Sequence, residues 1–185
     1  MAFDRDELVE KLADALADNP GCTMKELAEA VGISKASLHR IYTNKENICQ
    51  ILVDKERQIL ADVCEVLQRE KSDWLADLQE IIGLFAANGP FVRCMGRETL
   101  PVQVTEEEWE RFDQVLTGFF RKGKEAGLLQ GDFSSTDMND IFFGLVTGLI
   151  ESMGMRQSSP GAVKRIVYEA LLGGIYRPLE ILTKK

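Results

Sequence analysis

Apolar residues recur every three or four positions along almost the whole chain. No stretch alternates as a half-buried strand does, so the pattern predicts an all-helical protein. Leu8, Leu12 and Leu16 share one face of a first helix, which Asn19, Pro20 and Gly21 break. Thr23-x-x-Glu26 forms a capping box, in which hydroxyl and carboxylate each satisfy a backbone N–H left unpaired by the first turn. It opens a short helix with Leu27, Ala28 and Val31 inward, and Gly32 stops it. Ser34 is placed to cap another short helix with Leu38 and Ile41 toward the core. After Asn44, Ile48, Ile51, Leu52, Ile59, Val63 and Val66 trace one long amphipathic helix to about Glu70.

The second half continues in the same way. Ser72 can cap the next helix, with Trp74, Leu78, Ile81, Ile82 and Phe85 inward, and Asn88, Gly89 and Pro90 close it. Phe91 to Val104 reads as irregular or a short helix ended by Leu100-Pro101. Thr105-x-x-Glu108 is a second capping box. Glu106, Glu107 and Glu108 suit the positive end of a helix dipole, and Gly127 marks the stop after Arg121, Lys122 and Lys124. Two more helices are expected, from Ser135 to Met155 and from Pro160 to about Leu182, the last bent near Pro178. The expected fold is all-α, with about nine helices. A three-helix head over residues 1–47 precedes a larger helical body over residues 48–185.

Composition narrows the function. Of 185 residues, 45% are hydrophobic and 28% charged, which excludes disorder as the main state. The longest mainly apolar uncharged run, Ile141–Ile150, is far short of the roughly 20 residues of a spanning helix. The charged segment Met1–Glu10 does not resemble a secretory signal. Cys22, Cys49, Cys64 and Cys94 are scattered without metal-ligand spacing, so reduced thiols, no metal and a cytoplasmic location are expected. The single histidine, His39, has no Ser-His-Asp or H-E-x-x-H setting, and no phosphate-binding glycine loop occurs. An enzyme is not expected, nor a cofactor. The net charge of −8 argues against a polybasic nucleic-acid binder, though not against a local basic patch.

Thr23 to Lys45 carries that patch. Two short helices joined through Gly32 have the spacing of a helix-turn-helix. From Ser34 to Lys45 there is no acidic residue. Residues 1–19 hold Arg5 and Lys11 against six carboxylates, a net of −4, whereas residues 20–47 have a net of +1. The remaining charge, −5, therefore lies in the body. Short polar side chains at the start of the second helix can reach base edges, while longer cations reach phosphates.

The run GISKASLHRIYTNKENI resembles the signature of the TetR family of bacterial transcriptional regulators, commonly close to G-V-S-x-G-T-L-Y-x-H-F-x-S-K-E-x-L. Gly32, Ser34, Leu38, Tyr42, Lys45 and Glu46 match by type and spacing. Ala36, His39 and Ile41 stand where the family commonly has Gly, Tyr and His. The resemblance implies that Ser34, Lys35 and Ser37 read base edges. It implies that Thr23, His39 and Lys45 lie near phosphate; Arg40 is a further cation on the same helix. The implied function is a ligand-responsive regulator, a repressor that binds a palindromic operator in double-stranded DNA as a homodimer. A helical ligand-binding or interaction dimer with a degenerate head is the alternative.

The body supplies the other two expectations. The helix containing Met138, Phe142, Leu145, Val146, Leu149 and Ile150 is apolar on more than one face, so it is buried on two sides. A single chain of this length could bury both apolar helices internally; the resemblance implies instead a four-helix dimer interface between two chains. Phe142, Leu145, Gly148, Leu149, Val167, Leu171, Gly174 and Ile175 are its candidate residues. Such a dimer sets two recognition helices about 34–36 Å apart. The resemblance also implies a pocket for a small, mainly apolar inducer. The candidates there are Cys64, Phe85, Phe91, Cys94, Phe112, Phe119 and Phe142, with Arg93, Arg97 and Gln114 as polar anchors.

Overall fold

A computed structural model describes residues 4–70, 73–95, 100–129, 133–154 and 159–173. Among these residues the regular elements are nine helices: α1 Arg5–Asp18, α2 Met24–Ala30, α3 Lys35–Ile41, α4 Lys45–Leu67, α5 Trp74–Ala87, α6 Gly89–Cys94, α7 Glu106–Glu125, α8 Ser135–Gly154 and α9 Pro160–Gly173. The all-α expectation holds. The expected boundary near Asn47 falls inside the first turn of α4.

Capping chemistry sets most helix starts. Both capping boxes form, Thr23 with Glu26 and Thr105 with Glu108. The hydroxyl of Ser34 and the side-chain carbonyl of Asn44 accept backbone N–H groups at the starts of α3 and α4. Asp73, not Ser72, caps α5, accepting from the N–H groups of Leu75 and Ala76; Ser72 lies outside the described residues. Ser134 and Asp137 form a reciprocal pair at the start of α8 that the sequence reading missed. It is a capping box with Asp in place of Glu, so the usual pattern did not show it. Asn88-Gly89-Pro90 closes α5 as expected, with Asn88 as its C-cap, and also opens α6, because proline in a first helical turn gives up only an N–H that had no partner.

The head packs around Leu12, Leu16, Leu27 and Leu38, each fully buried. Gly32 turns the chain between α2 and α3 at φ 76°, in the left-handed region that favours glycine. Ile41, expected inward, is 38% exposed at the end of α3.

The body packs α5 against α9, α7 against α8, and α4 against α5 and α7. Trp74 stacks on Phe119 at 4.9 Å between ring centroids, and its Nε1 donates to the Phe119 carbonyl at 3.0 Å. That ring fills the space beside Gly123, where an added Cβ would lie 2.6 Å from it. The glycine is therefore a packing requirement on α7. Arg57 on α4 donates twice to Glu108 on α7, at 2.7 and 3.1 Å. The Arg57 hydrogen bonds, with the capping contacts of Thr105, hold the Glu108 carboxyl down to about 2.

Glu56 is the exception in this core. It sits on the inner face of α4, 3% exposed, and its Oε1 accepts no hydrogen bond. Burial raises its carboxyl from an ordinary 4.5 to about 7, against the opposing charge of Arg57. The folded state thus holds this proton more tightly than the unfolded chain. Its contribution is most favourable below pH 4.5 and is lost as pH rises through about 7. The loss is of order ~3 kcal/mol. Glu56→Gln should therefore stabilise the protein at pH 8 by up to about 3 kcal/mol and change little at pH 4.5. Urea unfolding at the two pH values measures this, and an equal effect at both would contradict it.

Candidate nucleic-acid interface and its link to the body

The second helix of the helix-turn-helix presents a basic surface. Lys35, Ala36, His39 and Arg40 are exposed along α3, and Ser37 is half-buried. Among the described residues neither Lys35 nor Arg40 forms an ion pair. The Ser34 hydroxyl accepts the Ser37 N–H at 3.0 Å, and the two hydroxyls share a bond of 2.9 Å. The candidate base-reading hydroxyls are thus already tied into the cap of α3. Nδ1 of His39 lies 3.1 Å from the Thr43 carbonyl, which can only accept. The ring therefore donates from Nδ1 and keeps Nε2 for another partner.

Two expected phosphate contacts have work inside the head. The Thr23 hydroxyl donates to Glu26 at 2.8 Å, and its N–H donates to the same carboxylate at 2.7 Å. Lys45 is half-buried, and its Nζ donates to the Pro20 carbonyl. It ties the start of α4 to the turn after α1. The cations that α3 itself offers outward are Lys35 and Arg40.

Arg93 departs furthest from expectation. Expected as a polar anchor of the pocket, its side chain is 6% exposed and meets Asp14 and Asp18 of α1 and Glu151 of α8. The Asp14 contact is 2.8 Å and the Glu151 contact 3.3 Å. These hydrogen bonds outweigh burial and raise the pKa of the guanidinium above its already high ordinary value. Beside it, Sγ of Cys94 donates to the Ala13 carbonyl at 3.2 Å. Both contacts join α6 to α1, so they couple the body to the head.

The aromatic pocket candidates are core. Phe85, Phe112 and Phe142 are at most 3% exposed and pack with Phe143 in edge-to-face contacts. Phe119 lies under Trp74, and Phe91 is buried on α6. Cys64 is half-buried on α4, where burial raises its thiol pKa. Gln114 is exposed and lines an outer groove with Thr117, Arg121 and Thr136. Arg97 lies outside the described residues. A cavity of about 270 Å³ opens among α5, α7, α8 and α9, lined by Trp74, Leu78, Phe120, Leu128, Leu129, Met138, Leu171 and Leu172. Among the described residues, none of those named from the sequence as pocket candidates lines it.

The interface candidates divide similarly. Phe142 and Val167 are fully buried within the chain, which corrects their assignment to a contact surface. They belong to the inner of the two apolar faces of their helices. Leu145 and Leu149 are half-buried and Gly148 is exposed. Leu171 is half-buried beside the cavity. Gly174 and Ile175 lie outside the described residues.

Known proteins resemble this chain in sequence and in fold. A family profile described as winged helix-turn-helix DNA-binding matches residues 5–43, which span α1 to α3. Over 177 residues the chain is 25% identical to the HTH-type transcriptional regulator NfxB of Pseudomonas aeruginosa, covering 94% of this chain and 95% of that one. The crystal structure of the TetR-like transcriptional regulator LfrR from Mycobacterium smegmatis superposes with TM-score 0.66 at 16% identity, covering 94% of this chain and 98% of that one. The regulator FadR from Bacillus subtilis, solved in complex with stearoyl-CoA, superposes with TM-score 0.58 at 17% identity, covering 92% and 99%. The chain has the TetR-type fold. Within it, the matched segment is a helix-turn-helix with helical flanks, and the described residues contain no strand that would build a wing.

In this TetR-type fold, Arg93 is a buried cation that gives charge-assisted hydrogen bonds to three carboxylates which are themselves partly exposed. Arg93→Ala should cost roughly 2 kcal/mol through the lost hydrogen bonds and packing. It should also raise hydrogen exchange in α1 before the rest of the head. A melt and exchange pattern like those of the parent would show that the cluster does not hold head to body.

Proposed function

We propose that this chain is a ligand-responsive transcriptional regulator of TetR type, a repressor that binds a palindromic operator as a homodimer and is released by a small-molecule inducer. The observation that carries the reading is α3. It is a short exposed helix with Lys35, His39 and Arg40 outward and no carboxylate from Ser34 to Lys45, in a chain of net charge −8. Local positive charge against an acidic whole favours site-specific contacts over general attraction to phosphate. The likeness to NfxB over nearly all of both chains supports the same reading.

The outer faces of α8 and α9 support the homodimer. Ile141 is 41% and Leu172 39% exposed, and a Cβ added at Gly144 or Gly148 would meet nothing within 4 Å. A second copy would cover these apolar positions and use the glycines for close approach. The cavity among α5, α7, α8 and α9, and the acyl-CoA held by FadR, support a mainly apolar inducer. Ligand binding then acts by favouring one of two body packings, passed to the head through α6 and α1. The free thiols of Cys22, Cys49 and Cys64 fit a reducing cytoplasm.

DNA flanking the chain's own gene should shift with the purified protein in low salt. Arg40→Ala should weaken binding to all sequences and lower the salt slope by about 1, whereas Lys35→Ala should change which sequences bind. A parent protein that shifts no DNA at low salt contradicts the proposal. For the dimer, sedimentation should show two chains together at micromolar concentration. Gly148→Glu should give a folded monomer, since that position is open within one chain.

A further inference from the structure

His39 is the chain's single histidine, exposed on α3 one turn after Lys35 and next to Arg40. One contact fixes its ring. Nδ1 lies 3.1 Å from the Thr43 carbonyl, which has no proton to give, so Nδ1 must donate. A neutral imidazole carries a single N–H. With that proton committed to Thr43, Nε2 of the neutral ring can only accept. A phosphate oxygen is also an acceptor, so the neutral ring cannot bond to one. A second proton changes this. The imidazolium donates from both nitrogens, keeping Thr43 with Nδ1 and making Nε2 a charged donor.

The charged groups around the ring are already accounted for. Lys35 and Arg40 lie beside it on α3, both exposed. The helix packed against α3 is α2, which carries Lys25, Glu26 and Glu29. Glu26 accepts from Thr23, and Lys25 pairs with Glu29 at 3.7 Å. At the start of α4, Lys45 donates to the Pro20 carbonyl and Glu46 is exposed. Among the described residues no carboxylate bonds to the ring of His39, whose hydrogen-bond partner is Thr43. No bonded anion in the free head therefore favours a second proton. Duplex DNA brings a row of phosphates to an exposed basic helix, and a phosphate on Nε2 does favour it.

We propose that His39 meets DNA as the imidazolium, holding the Thr43 carbonyl with Nδ1 and a backbone phosphate with Nε2, so that each head takes up a proton when it binds. This deepens the DNA-binding reading above and rests on it. Histidine changes charge between pH 5 and 8, so affinity for DNA rises as the medium becomes more acidic through that range. A neutral ring would act differently. Its Nε2 would accept from an adenine or cytosine amino group, and acidification would weaken that contact. The sign of the pH dependence therefore separates the two.

The probe is the duplex flanking the chain's own gene, titrated with the full chain. From about pH 7.5 to about pH 6 the affinity should rise roughly ten-fold per head, and the salt slope should steepen by about 0.9 per head. His39→Gln has no proton to gain, so its affinity should stay nearly constant over the same range. Glu56 titrates at about 7 but is present in both proteins, so the difference between them belongs to His39. His39→Tyr supplies a neutral O–H donor and should bind at about pH 7.5 as tightly as the parent does at about pH 6. The position is exposed, so both variants keep the fold. Calorimetry near pH 7 in two buffers of different ionisation heat should show proton uptake by the parent and none by His39→Gln. Parent affinity that is flat or falls on acidification, or a pH response kept by His39→Gln, overturns this proposal while DNA binding itself stands. A parent that binds no duplex at either pH overturns both.

Discussion

The guanidinium of Arg93 is almost out of water, yet it is charged and must be answered by charge. Its partners come from α1 on one side and α8 on the other, so a single side chain fixes three helices that are remote in sequence. Part of the acidity of the first helix is explained by this. Asp14 and Asp18 contribute to its negative charge, and they face a cation of the body. Breaking the cluster gives up charge-assisted hydrogen bonds that join α6 of the body to α1 of the head. Cys94 and Ala13 add a neutral hydrogen bond at the same junction.

Below that junction, aromatic packing dictates the body. Phe85, Phe112, Phe142 and Phe143 meet edge to face, and Trp74 lies flat on Phe119 where Gly123 leaves room. Interiors packed at this density leave little choice about which rings point inward. Space for small molecules therefore appears at the margins of the cluster, beside Phe120 and Leu171 on one side and beside Trp109 and Asp140 on another. The same arrangement leaves α8 with two characters. Phe142, Val146 and Ile150 face the core, while Ile141, Gly144 and Gly148 remain accessible.

Much of this was legible in the chain. The head could be read closely because its signals are local: Thr23 with Glu26, Gly32, Ser34, and leucines four apart. Ile41 was misplaced because it sits at the helix end, where a stripe no longer fixes direction. Pro90 was read as the end of α5, which it is, but its second role as the opening of α6 was not, because only the following turn shows that a helix resumes. Phe142 and Val167 were placed on a contact surface because a helix apolar on two faces does not say which face meets its own core.

By itself the sequence determined the helical class, the capped starts, the helix-turn-helix and the separation of basic α3 from acidic surroundings. Each of these depends on residues within about one or two helical turns. Only the tertiary structure decided that Arg93 clamps α1 to α6 and α8, and that Lys45 closes a turn at Pro20. It alone showed that Trp109, Asn139 and Phe143 share a cleft. Those outcomes join residues that lie 25 or more positions apart. Their meeting depends on how whole helices pack, and no local spacing encodes it.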